Sequence, residues 1–102
     1  MGATKFDHYS QKQIRNSELG KAIAAPARIV ILGLLENQEL INIPSLKKIL
    51  RLDVSTIQQH ISTLVLIGLV RGRYVGKTYV WELNPETEQD FQKIKWALNT
   101  ES

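Results

Sequence analysis

Between Leu64 and Leu83 the hydrophobic period of the chain changes, and that change limits the folds open to it. Up to Gly68 apolar residues recur at helical spacing; from Leu69 onward they alternate. A period near 3.6 puts apolar side chains on one face of a helix, and a period of two puts them on one face of a strand. LVRGRYVGKTYVWEL holds two extended runs, residues 69–75 and 78–83, around Gly76-Lys77, which reads as a hairpin turn. In the second run Tyr79, Trp81 and Leu83 share one face.

Upstream of the hairpin the pattern is helical. Ser10 opens a helix in which Ile14, Leu19 and Ile23 recur. Pro26 ends it or starts the next, because proline is favoured at a first helical position. The second helix runs from 26 to about 36 and is apolar around most of its circumference, as a core helix should be. NQELIN breaks the pattern; a short third helix then spans about 44–50, with Leu46, Ile49 and Leu50 on one side and Lys47 and Lys48 on the other. After a tight turn at RLD, the fourth helix covers about 54–66. Asp53 and Ser55 are both N-cap candidates, Ser55 with Gln58 fits a capping box, and Gly68 fits a left-handed C-cap. Asn84-Pro85 opens a last helix with Phe91, Ile94, Ala97 and Leu98 on one stripe. The expected fold is mainly α with a small β-hairpin, a winged helix-turn-helix in the order α-α-α-α-β-β-α. Residues 1–9 are expected to form a loose tail before a single domain at 10–102.

A chain of 102 residues, 43% apolar and 23% charged, suits one core and is too short for two. The net charge of +3 points weakly to a polyanionic partner. With no cysteine, disulfides and thiolate metal sites are excluded. The longest apolar runs, IVILGLL and LVLIGLV, are too short to span a bilayer, and no targeting segment is legible. The chain is therefore expected to be soluble and cytoplasmic.

AAPARIVILGLLE, SLKKILRLDVSTIQQHISTLVLIGLV and RGRYVGKTYVWEL together resemble the arsenical-resistance repressor (ArsR) type of bacterial transcription regulator, from about residue 19 to residue 83. The resemblance implies a homodimer joined through its terminal helices, a recognition helix in the major groove of double-stranded DNA, and a wing near the minor groove or backbone. By position, Ser55, Thr56, Gln58, Gln59 and Thr63 match the recognition helix, and Arg71, Arg73, Lys77 and Tyr79 match the wing. The chain also departs from the family. ELINIP stands where many relatives carry a cysteine-containing metal motif, Gln59 where many carry a basic residue, and Val65 and Leu66 where many carry charges.

The residues can be weighed apart from that resemblance. At 100° per residue Ile57, Ile61, Leu64 and Gly68 fall together and should pack inward, leaving Ser55, Gln59 and Ser62 opposite with Thr56, Gln58 and Thr63 beside them. Glutamine can pair bidentately with adenine, and serine or threonine can bond bases or phosphates. A polar outer face is also the default for any surface helix. The cations tip the balance: Lys47, Lys48 and Arg51 come just before the helix, and Arg71, Arg73 and Lys77 just after. That bracketing fits a neutral reader with phosphate grips on either side, although wing cations also discourage edge-to-edge pairing. His60, at the border of the buried face, reads as a partly buried packing residue rather than a base contact, and Arg28 is open between a phosphate and an internal acid.

No metal site is expected, since His8 and His60 are the only histidines and the acids Glu86, Glu88 and Asp90 suit the dipole of the last helix. No cofactor is expected, and no phosphate loop, nucleophile–base pair or paired-acid motif suggests an enzyme. Ile14 and Ile23 on the first helix and Phe91, Ile94 and Leu98 on the last are the expected dimer surface, with Trp96 at its rim. Val65 and Leu66 are expected to be covered by the wing or the N-terminal segment. They also give a foothold to the rival reading, a winged-helix protein-interaction module with no DNA role.

Overall fold

The computed structural model describes residues 8–38 and 40–99, so the expected tail lies outside it apart from His8 and Tyr9. Helix α1 (Gln11–Ala22) opens on a reciprocal capping box. The Ser10 hydroxyl accepts from the Gln13 N–H at 3.1 Å, and the Gln13 side chain accepts from the Ser10 N–H at 3.0 Å. Pro26 takes the first position of α2 (Pro26–Gln38), where its missing N–H costs nothing. In α3 (Ile43–Leu50) Asn42 is the N-cap, accepting from Ser45 N–H at 2.9 Å, and Arg51 ends the helix in the left-handed region at φ 58°.

Helix α4 (Val54–Ile67) follows that turn and completes the helix-turn-helix. Its N-cap is Asp53, whose carboxylate accepts the Thr56 N–H at 2.9 Å. The expected Ser55–Gln58 box does not form, because Ser55 is already inside the first turn and its hydroxyl donates to Asp53 at 3.3 Å. Gly68 closes the helix at φ +93°, a conformation that L side chains resist.

Strands β1 (Val70–Val75) and β2 (Thr78–Leu83) pair antiparallel with Val75 opposite Thr78. The two-residue loop has positive φ at Gly76 only, the pattern of a type II′ turn. ELINIP adds a contact that periodicity does not reveal. Ile41 and Trp81 exchange two backbone hydrogen bonds, at 3.0 and 2.7 Å, as a one-residue third strand. Asn84 then caps a single 3-10 turn, Pro85–Thr87, before α5 (Glu88–Asn99).

The core gathers Leu19 and Ala22 of α1, Ile31 and Leu35 of α2, and Leu46 of α3 around Ile57, Ile61 and Leu64 of α4. The junction at the end of α4 is polar and tightly tied. The Arg15 guanidinium donates to the Ile67 carbonyl at 2.7 Å and pairs with Asp90 at 3.0 Å, joining α1, α4 and α5. Asn84 and Thr87 both donate to the Gly68 carbonyl, at 3.0 and 3.1 Å. Lys95 pairs with Glu36, fixing α5 to α2. Among the described residues no helix is long and apolar enough to cross a membrane.

Gly72 is set by close approach. A Cβ there would lie 2.5 Å from the Tyr79 ring and 2.6 Å from the Trp81 ring. Both rings lie across β1 in a run of edge-to-face contacts, Tyr74–Tyr79 at 4.8 Å and Tyr79–Trp81 at 5.0 Å. Gly72→Ala is expected to lower stability by roughly 1–3 kcal/mol through overpacking. Urea unfolding measures the loss, and a changed aromatic circular dichroism signal would place it in the wing.

Candidate nucleic-acid interface

Helix α4 has two faces. Ile57, Ile61, Leu64 and Ile67 are buried, while Ser55, Gln58, Gln59 and Ser62 form a continuous exposed stripe without a charge. The Gln58 side chain, freed from the expected cap, forms no hydrogen bond with another described residue, and neither does the Gln59 side chain. Thr56 and Thr63 are half-buried, and the Thr63 hydroxyl donates back to the Gln59 carbonyl at 3.2 Å. At the tip, hydrogen bonds from the Thr56 side chain and then its backbone hold Asp53 below the usual carboxylate range.

The flanking cations divide into two groups. Lys47, Lys48 and Arg51 are exposed at the end of α3, and Lys77 is exposed at the wing tip; none has an ion-pair partner among the described residues. Arg71 and Arg73 differ: both are held by Glu82, at 2.6 and 3.2 Å. Those contacts, Arg71 first, keep the Glu82 carboxyl below its ordinary range. Three charges thus net to one positive, not two. Sequence reasoning missed Glu82, although the signal was present. A two-residue turn at Gly76-Lys77 forces Arg71 opposite Glu82. Tyr79, expected as a wing contact, packs between Tyr74 and Trp81 and keeps a partly exposed edge.

Arg28 pairs with no acid among the described residues. It donates to the Lys21 carbonyl at 2.8 and 3.1 Å and to His60 Nδ1 at 3.0 Å. Because guanidinium only donates, Nδ1 must accept, which places the imidazole proton on Nε2. Burial first, and then the Arg28 charge, push the His60 pKa down. The unfolded chain therefore binds the proton more readily than the folded one. This contribution to stability is complete above the ordinary histidine pKa and is lost as pH falls through the lower folded value. Urea midpoints between pH 7.5 and 5 are expected to fall, and to fall less in His60→Gln, whose amide can still accept from Arg28.

The wing does not cover Leu66 as expected, and most of the N-terminal segment lies outside the described residues. Leu66 is 88% exposed, and with Val65 it lines a cleft of about 800 Å³ between α4 and the wing, facing Gly72, Tyr79 and Trp81. The expected dimer stripe is also redistributed. Phe91 and Ile94 are buried in the core of their own chain, whereas Ile14, Ile23 and Leu98 remain half-exposed and Trp96 is 70% exposed. Between α1 and α5 an apolar cleft of about 360 Å³ is lined by Leu19, Ile23, Ile94 and Trp96.

Solved structures share this arrangement. The transcriptional regulator HlyU from Vibrio vulnificus CMCP6 is 29% identical, over 90% of this chain and 93% of that one, at a TM-score of 0.69. The transcriptional repressor PagR of Bacillus anthracis is 26% identical, over 84% and 95%, at 0.66. An ArsR family transcriptional regulator, 17% identical over 92% and 100%, matches at 0.67. The chain has the winged helix-turn-helix fold of these transcriptional regulators. No family model and no curated protein sequence matches it. Within that fold, α3 and α4 are the helix-turn-helix and β1–β2 the wing. The chain gathers no group of three His, Cys, Asp or Glu side chains suited to a metal ion among its described residues.

Proposed function

We propose that this chain is a sequence-specific, double-stranded-DNA-binding transcription regulator, acting as a homodimeric repressor on an inverted-repeat operator. The observation that carries this reading is the neutral exposed stripe of α4, bracketed by Lys47, Lys48 and Arg51 on one side and Lys77 on the other. Base edges in the major groove are read by hydrogen bonds from the second helix of the motif, while neighbouring cations hold phosphates. HlyU and PagR, described as a transcriptional regulator and a transcriptional repressor, support the same assignment.

The dimer contact falls to α1 and α5, through Ile14, Ile23, Leu98 and Trp96. Phe91 and Ile94 support that surface from beneath. A two-fold axis there presents two α4 helices to half-sites roughly one helical turn apart. Fluorescence anisotropy against a pool of random duplexes at low salt, with sedimentation of the free protein, tests both parts. Saturable duplex binding by a species of twice the chain mass is expected. A monomer that ignores duplex DNA would favour the protein-interaction module, for which the cleft beside Val65 and Leu66 is the supporting feature.

A further inference from the structure

The DNA-binding reading leaves open which sequence is read, and the exposed atoms of α4 narrow it. Resting on that reading, we infer that each half-site is read at a short run of A·T pairs, with Gln58 and Gln59 pairing to adenine and Val54 packing on a thymine methyl. Guanine presents two acceptors in the major groove, N7 and O6, and is met best by arginine or lysine. Helix α4 carries neither residue anywhere along its length. Adenine presents one acceptor and one donor, which a single amide side chain matches with its own donor and acceptor. Gln58 and Gln59 are exposed amides that no neighbouring described side chain engages.

The tip of the helix supports the same choice. Val54, the first residue of α4, is 37% exposed and offers an apolar surface where recognition helices touch bases. Asp53, the carboxylate that could accept from cytosine, is committed to the helix cap through Thr56 and Ser55. Thr63 donates along the helix to the Gln59 carbonyl, which leaves its hydroxyl only as an acceptor. Val54 and Gln58 lie one helical turn apart, about 6 Å along the axis. That is roughly two base steps of about 3.4 Å, so the read core spans about three pairs.

Selection of bound sequences from random duplex DNA, with this chain and two variants, tests this. The wild type should enrich half-sites with A·T at the core, and a G·C pair placed there should weaken binding roughly ten- to a hundredfold. Gln59→Arg should move one core position of each half-site from A·T to G·C, because arginine pairs with guanine. Lys77→Ala should weaken all sequences alike and leave the selected motif unchanged. Circular dichroism confirms that Gln59→Arg, at an exposed position, is folded. A wild-type motif with G·C fixed at the core, or a Gln59→Arg motif identical to wild type, overturns the A·T inference while DNA binding stands. Failure of the wild type to enrich any duplex at low salt overturns DNA binding itself, and the inference with it.

Discussion

Affinity for duplex DNA is expected to fall by roughly 10³- to 10⁵-fold between 50 and 200 mM salt. Lys47, Lys48, Arg51 and Lys77 are exposed and without an ion-pair partner among the described residues, four cations per chain and eight per proposed dimer. Each phosphate neutralised releases counterions, and about 0.9 is added to the slope of log affinity against log salt. Arg71 and Arg73 are left out of that count because Glu82 already neutralises much of their charge. Two variants check the accounting. Lys77→Ala should flatten the slope by about two, one contact per protomer. Glu82→Gln should steepen it, since both wing arginines then become available to phosphate. An unchanged slope in Lys77→Ala would remove the wing tip from the interface.

Leu64→Ala is expected to cost roughly 2–5 kcal/mol. Leu64, near the C-terminal end of α4, is 0% exposed and belongs to the buried core. Truncation there removes the burial of the side chain and leaves a cavity that the surrounding helices can close only in part. In a domain with a total stability of about 5–15 kcal/mol, that is a large share. The control sits two residues away: Leu66, the same residue type on the same helix, is 88% exposed, and its replacement by alanine should stay within about 0.5 kcal/mol. Urea unfolding of both variants at matched protein concentration, needed because dimerisation couples stability to concentration, reads the rotational setting of α4 directly. Similar losses in the two would mean that the helix is turned differently.

Much of this architecture is legible in the sequence because it depends on local patterns. Helical spacing at Ile57, Ile61 and Leu64 sets the inward face of α4, and Gly68 and Asn84 mark its end and the start of the last helical segment. Features that depend on partners distant in sequence are harder to read. Periodicity shows that Phe91 and Ile94 need cover but not whether it comes from the same chain, and the structure supplies it from the core. Asp53 and Ser55 satisfy the same local rule, and only the path of the chain through Arg51 selects Asp53 as the cap. One bridging residue, Ile41, has no period to detect. At the candidate interface the amides and flanking cations were visible, but their availability was not. Whether Arg71, Arg73, Gln58 or Thr63 is engaged depends on hydrogen bonds that composition does not record.

The polar ties at the end of α4 set a tolerance as well as a position. Arg15 grips the last carbonyl of α4 while bonded to Asp90, and Asn84 and Thr87 hold the next carbonyl from the start of the last helical segment. Any pivot of α4 must therefore break these ties or carry the two terminal helices with it. In a dimer joined through those helices, the gap between the two readers behaves like a caliper locked at one setting. Inserting one base pair between half-sites turns one of them by roughly a tenth of a helical turn, and a locked caliper has no play to follow it.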